Sequence, residues 1–95
     1  MNLNCIVVDD DEMSRKVVAH FVEKTKFLQL TKDFDNAIDA LKYLDEEHVD
    51  IIFLDVQMPE MSGMEFINAL EKDIEIILNN GTFYILGHNH SLSRK

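Results

Sequence analysis

The chain is poor in the residues that break or staple a fold. It has one cysteine, Cys5, so an internal disulfide is excluded, and the thiol lies in an apolar stretch suited to an inert core position. It has one proline and three glycines in 95 residues, which leaves little material for linkers or low-complexity tracts. No apolar run approaches the roughly 18 residues that span a bilayer. Met1–Asn4 carries no basic segment or cleavage signature of a secretory leader, so a cytoplasmic location is expected. Cations are also scarce: 9 Lys and Arg against 18 Asp and Glu give a net charge of −9. Nucleic-acid binding needs clustered Lys and Arg on phosphates, so this balance argues against it.

What remains is ordinary globular material, 46 % hydrophobic and 28 % charged, of a size that makes one domain at most. Acidity by itself means a solvated surface. It becomes informative only where carboxylates stand at special positions, and two such positions occur.

Leu3–Val8 is an apolar, β-branched run that stops at Asp9-Asp10-Asp11. Such a run reads as a buried strand. Met13 to Lys24 follows with apolar residues Met13, Val17, Val18, Phe21 and Val22 at helical spacing, opposite Ser14, Arg15, Lys16, Glu23 and Lys24. Phe27–Leu30 is a short second strand. Asp35 reads as the N-cap of a helix over 36–44, with an apolar stripe of Ala37, Ile38, Ala40, Leu41 and Leu44. Ile51–Leu54 is a third strand, again ending in a carboxylate, Asp55. A loop with Pro59 and Gly63 leads to a helix over 64–70 and a fourth strand over 74–78. Alternation of this kind predicts an α/β, doubly wound parallel sheet with right-handed crossovers.

The last 17 residues differ. Asn80-Gly81 between two apolar runs is a hairpin signal, which predicts an antiparallel edge strand over 82–86 and a loose polar tail beyond it. The chain therefore divides into a core, 1–78, and an atypical segment, 79–95. His88 and His90 read as part of that solvated tail, and His20 and His48 as lone histidines without a partner. Met58, Met61 and Met64 read as packing residues.

Ligands of open parallel sheets bind outside the carboxyl ends of the strands. If the first and third strands are neighbours, Asp9, Asp10 and Asp55 converge there. Converging carboxylates are costly without a compensating proton or cation. A hard divalent cation, Mg²⁺ or Mn²⁺, suits oxygen ligands and phosphoryl transfer. A carboxylate is also a competent phosphoryl nucleophile. On spacing alone this stands level with a plainer view, in which Asp9–Asp11 cap a helix and Asp55 ends a strand.

Two segments carry a resemblance. Cys5-Ile6-Val7-Val8-Asp9-Asp10-Asp11 and Ile51-Ile52-Phe53-Leu54-Asp55-Val56-Gln57-Met58-Pro59-Glu60-Met61-Ser62-Gly63-Met64-Glu65-Phe66 resemble the signature segments of bacterial response-regulator receivers, nearest to the LytTR class. The resemblance runs from Leu3 to about Leu78. It implies a flavodoxin-like sheet of order 2-1-3-4 and a phosphoacceptor module of a two-component phosphorelay. It implies Asp55 as phosphoacceptor, Mg²⁺ held by Asp10, Asp55 and the Gln57 backbone carbonyl, Asp9 acting through water, and Pro59 and Gly63 shaping the loop. The donor it implies is a histidine kinase or a small phosphodonor.

The chain departs from that pattern. Asn80, or Asn79, stands where the family has a Ser or Thr at the end of the fourth strand, and the next hydroxyl is Thr82. The Lys after the fifth strand has no counterpart, since Arg94 and Lys95 fall at the very end. The fourth and fifth helices are missing, so the chain reads as a truncated or rearranged receiver. A missing cation removes a partner for phosphoryl oxygens, and a missing hydroxyl removes the donor that reports phosphorylation. An alternative function follows: a receiver-like interaction or dimerisation module that works without phosphorylation. A homodimer or strand exchange would cover sheet surface left bare. A turnover enzyme of the aspartyl-phosphate type would want a second Asp at position 57, where Gln stands.

Overall fold

The computed structural model describes residues 2–55, 58, 61, 63–70, 74–79 and 83–88. The elements in chain order are β1 (Leu3–Val8), α1 (Glu12–Lys24), β2 (Leu28–Phe34), α2 (Ala37–Glu46), β3 (Ile51–Asp55), α3 (Gly63–Ala69), β4 (Glu75–Asn79) and β5 (Phe83–His88). They form one sheet of order β2-β1-β3-β4-β5. The first four strands are parallel, and β5 pairs antiparallel with β4. The flavodoxin-like order 2-1-3-4 and an antiparallel edge strand thus stand as expected, but β5 runs on to His88 rather than ending at Leu86, because Gly87 and His88, read above as tail, stay paired with Ile76 and Glu75. The Asn80-Gly81 turn, Thr82 and the tail from Asn89 lie outside the described residues.

The apolar runs Cys5–Val8 of β1 and Ile51–Leu54 of β3 are explained by burial on both faces. Ile6, Val8, Ile52, Leu54 and Ile76 point to one side, where they meet Ala37, Ala40 and Leu44 of α2 and Phe66 and Ile67 of α3. Cys5, Val7 and Phe53 point to the other, against Val18 and Val22 of α1. Two helices therefore serve the larger core and one serves the smaller.

Boundaries differ in informative places. β2 runs to Phe34, well past Leu30, because Lys32, Asp33 and Phe34 stay paired with Ile6, Val7 and Val8. Its outer residues are polar because the strand is an edge. A register shift between Cys5 and Ile6 leaves Thr31 extra, and its hydroxyl donates to the Cys5 carbonyl at 3.2 Å. The N-cap of α2 is Asn36, not Asp35: the Asn36 side chain accepts from the Asp39 N–H at 2.8 Å. α1 departs most from its expected amphipathic pattern. Val18 and Val22 are buried, but Met13, Val17 and Phe21 are exposed.

Candidate functional site

The site is placed by the β1–β3 register. At the amino ends of these strands, the Asn4 N–H donates to Asp50 Oδ2 and the Asp50 N–H donates to the Asn4 carbonyl, both at 2.8 Å. That exchange locks the pairing which sets Val8 beside Leu54. The next residues, Asp9 just past β1 and Asp55 at the last position of β3, then lie side by side at the carboxyl edge of the sheet. Asp9, Asp10 and Asp55 each offer a carboxylate oxygen, all within 4.8 Å of one another.

The three differ in setting. Asp9 is buried, Asp55 half-buried and Asp10 exposed. Asp9 is held by its backbone: its N–H donates to the Phe34 carbonyl at 3.0 Å, and its carbonyl accepts from Arg15 Nη1 at 3.0 Å. Its Oδ1 accepts from the Asp11 N–H at 2.9 Å. Burial pushes the Asp9 carboxyl above the ordinary aspartate range, and the charges of Asp10 and Asp11 push the same way. The Asp11 N–H and a hydrogen bond with Asp55 oppose the shift without cancelling it.

Asp11 does not join this group. It is the N-cap of α1, and its Oδ2 accepts from the Ser14 N–H at 2.8 Å, which holds its pKa below the usual value. The run Asp9-Asp10-Asp11 is therefore divided. Two residues go to the cluster and the third starts the helix, so capping and convergence coexist.

Arg15 is the contributor that the linear pattern missed. Helical spacing sets it opposite the apolar stripe, yet one turn into α1 its guanidinium folds back onto the Asp9 carbonyl, and its Nε lies 3.9 Å from Asp33 Oδ1. Only the proximity of a cation to three aspartates hinted at this. An open cleft of about 470 Å³ lies alongside, lined by Arg15, Lys32, Asp33, Phe34, Asp35, Asp39 and Tyr43. None of the three clustered carboxylates lines it. Gln57, Pro59 and Asn80 fall outside the described residues. Gly63 opens α3, and Asn79 pairs with Asp55 in the β3–β4 ladder.

The donor set is all oxygen, and one member is exposed. It fits a hard divalent cation that keeps part of its water shell. It fits a soft or thiophilic metal poorly, because the described cluster contains no sulfur or imidazole.

Comparison with known proteins agrees with this geometry. A family model described as Response regulator receiver domain matches residues 5–81. An uncharacterized response regulatory protein of Vibrio parahaemolyticus is 34 % identical over 71 residues, 75 % of this chain and 29 % of that protein. The sensory transduction protein LytT of Bacillus cereus is 36 % identical over 70 residues, 74 % of this chain and 28 % of that protein. The chain thus spans less than a third of these relatives. In fold it is similar to the response regulatory domain of mrkE from Klebsiella pneumoniae, with TM-score 0.70 and 24 % identity over 80 % of this chain and 65 % of that one. It is likewise similar to the receiver domain of NarL from Mycobacterium tuberculosis, with TM-score 0.72 and 21 % identity over 81 % of this chain and 64 % of that one.

Proposed function

The chain belongs to the response regulator receiver domain family, and from that premise we propose that it is a phosphoacceptor signalling module in which Asp55 takes the phosphoryl group. The reading rests on one observation: two adjacent parallel strands deliver three carboxylates to within 4.8 Å. Asp10, Asp55 and the Gln57 backbone carbonyl would hold Mg²⁺ or Mn²⁺, with Asp9 contributing through water, and the cation would supply neutralisation of charge on the transferring group. Pro59 and Gly63 shape the loop that follows Asp55.

The Asp55 carboxylate oxygen attacks phosphorus. The bond from phosphorus to the donor breaks, and its electron pair stays on the donor, a histidine imidazole of a kinase or the acyl oxygen of a small phosphodonor. An acyl phosphate forms on Asp55. Arg15 fixes the Asp9 backbone and so orients the cluster without reaching the phosphoryl group. The module accepts a phosphoryl group once per signal and does not turn over substrate. Its place of work is the cytoplasm, where such donors are made. Asn79 or Asn80 stands in place of the usual hydroxyl at the end of β4, an amide where the family has a Ser or Thr.

The test is labelling with acetyl phosphate. The expected result is Mg²⁺-dependent incorporation that disappears in Asp55→Asn. Incorporation unchanged by that substitution, or no incorporation with Mg²⁺ present, overturns the reading in favour of a module that binds without being phosphorylated.

A further inference from the structure

The cleft of about 470 Å³ lies at the carboxyl end of β2, beside the acidic cluster but lined by none of its three carboxylates. It is enclosed by α1, β2 and α2, at the edge of the sheet four strand spacings, about 19 Å, from β5. All of its lining residues fall within the segment that matches receiver domains. Its volume is that of a small-molecule site, which runs to about 300–1,000 Å³.

The lining carries two kinds of charge from different elements. Arg15 of α1 and Lys32 of β2 are the basic part. The Arg15 side chain is 18 % exposed, and among the described residues its guanidinium makes one hydrogen bond, to the Asp9 carbonyl. Asp33 Oδ1, at 3.9 Å, offsets its charge from beyond hydrogen-bond distance. A guanidinium has five N–H donors in a planar fork, so donors remain for a ligand. Lys32 Nζ lies 5.7 Å from the centroid of the Phe34 ring. Asp35 and Asp39, at the start of α2, are the acidic part. The Asn36 amide donates to Asp35 Oδ1 at 2.8 Å and to Asp39 Oδ2 at 3.0 Å, which holds these carboxylates as a pair. The Phe34 and Tyr43 rings, with centroids 5.3 Å apart, are the apolar part.

This combination selects among ligands. A simple anion meets the carboxylates of Asp33, Asp35 and Asp39, and a simple cation meets Arg15 and Lys32. A molecule that carries both charges satisfies both parts through charge-assisted hydrogen bonds. An aromatic side chain on the same molecule adds contact with Phe34 and Tyr43.

We propose that this cleft binds a zwitterionic amino acid with an aromatic side chain: its carboxylate on Arg15 and Lys32, its ammonium on Asp35 and Asp39, and its ring on Phe34 and Tyr43. The cleft is open and such a ligand has about a dozen heavy atoms, so the dissociation constant is about 1 mM.

Titration of L-phenylalanine to about 10 mM into the full chain, in EDTA and without a phosphodonor, tests this independently of Asp55 labelling. Amide NMR shifts grouped on β2, the start of α2 and Tyr43 are expected, and they saturate. N-acetylphenylalanine lacks the ammonium and phenylalaninamide lacks the carboxylate. Each should bind about tenfold or more weakly than L-phenylalanine. Lys32→Gln and Asp39→Asn should each weaken L-phenylalanine by about fivefold or more. Both residues are exposed, so the variants keep their circular dichroism and cooperative unfolding. No saturable shift at that concentration, or shifts centred elsewhere, overturns the proposal. A blocked probe that binds as tightly as L-phenylalanine, or folded variants that bind it as wild type does, overturns it as well.

Discussion

Replacing Asp10 by Asn should stabilise the protein when no cation is present and remove most of the stabilisation that Mg²⁺ gives. Two unit charges 4.8 Å apart repel by about 1 kcal/mol in water and about 3.5 kcal/mol at an effective dielectric constant of 20. Asp10 faces two such neighbours, but it is exposed, so the water limit is nearer the truth. The neighbours are also not both fully ionised at all pH values, because Asp9 is shifted upward. A net gain of about 1–2 kcal/mol follows for Asp10→Asn in EDTA, which in a domain of this size raises Tm by roughly 4–8 °C per kcal/mol. With saturating Mg²⁺ the order reverses, since the wild type gains ligand-linked stability that the variant lacks. Thermal unfolding followed by circular dichroism, in EDTA and in a Mg²⁺ series, measures both. The reasoning fails if Asp10→Asn lowers Tm in EDTA, or if Mg²⁺ raises both proteins equally.

Other outcomes follow from the same structure. A folded-state carboxyl raised above 3.8 binds its proton more tightly in the native state, so stability in EDTA falls as pH rises from about 4 through the Asp9 transition; urea titrations across that range check it, and Asp9→Asn should flatten the slope. The opposite sign holds for Asp11, whose lowered pKa contributes stability above 3.8 that is lost as pH drops below it. Asn36→Ala should cost about 1 kcal/mol in urea unfolding, through loss of the α2 cap. Phe66 is fully buried between α3 and the sheet, and Phe66→Ala should cost roughly 3–5 kcal/mol, enough to unfold much of a small domain at 25 °C. Burial pushes the Cys5 thiol up to about 11, so a thiol reagent at pH 8 should react with native protein at least about a hundredfold more slowly than with unfolded protein.

The strands that build the site were the most legible part of the chain. β1 from Cys5 and β3 from Ile51 are buried on both faces, so each reads as an apolar run until a carboxylate ends it, and that contrast survives in one dimension. β2 was less legible because an edge strand needs no apolar residue on its open side. Thr31, Lys32 and Asp33 look like a loop until the β1 ladder is seen to continue past them. The cap of α2 was missed by one residue because Asp35 and Asn36 are both good caps. Backbone direction decides between them, and it is set by where β2 ends. The division of labour among Asp9, Asp10 and Asp11 was hidden for the same kind of reason. Identical side chains diverge only when a strand terminus and a helix start assign them different directions.

The exposed apolar residues of α1, Met13, Val17 and Phe21, show the other limit of pattern reading. Met13, Val17, Val18, Phe21 and Val22 satisfy a helical period, and a single broad apolar stripe facing the core is the natural conclusion. The structure splits that stripe. Successive residues on a helix are 100° apart, so Val18 and Val22 lie well round from Val17 and Phe21, and the sheet buries only the first pair, touching Phe21 at one edge through Phe53. An apolar arc wider than the sheet can cover specifies a helix, but it does not say what meets its second half. The first half is fixed by Val18 and Val22 against Cys5, Val7 and Phe53. Of the second half, Phe21 touches that core through Phe53, whereas Val17 and Met13 are 63 % and 74 % exposed. Retaining three large apolar residues there works against solubility in an otherwise acidic chain. Polar substitution of Val17 should therefore leave unfolding by urea within about 0.5 kcal/mol of wild type when both are measured as monomers at low concentration. A large loss of stability under those conditions would mean that Val17 belongs to the core after all.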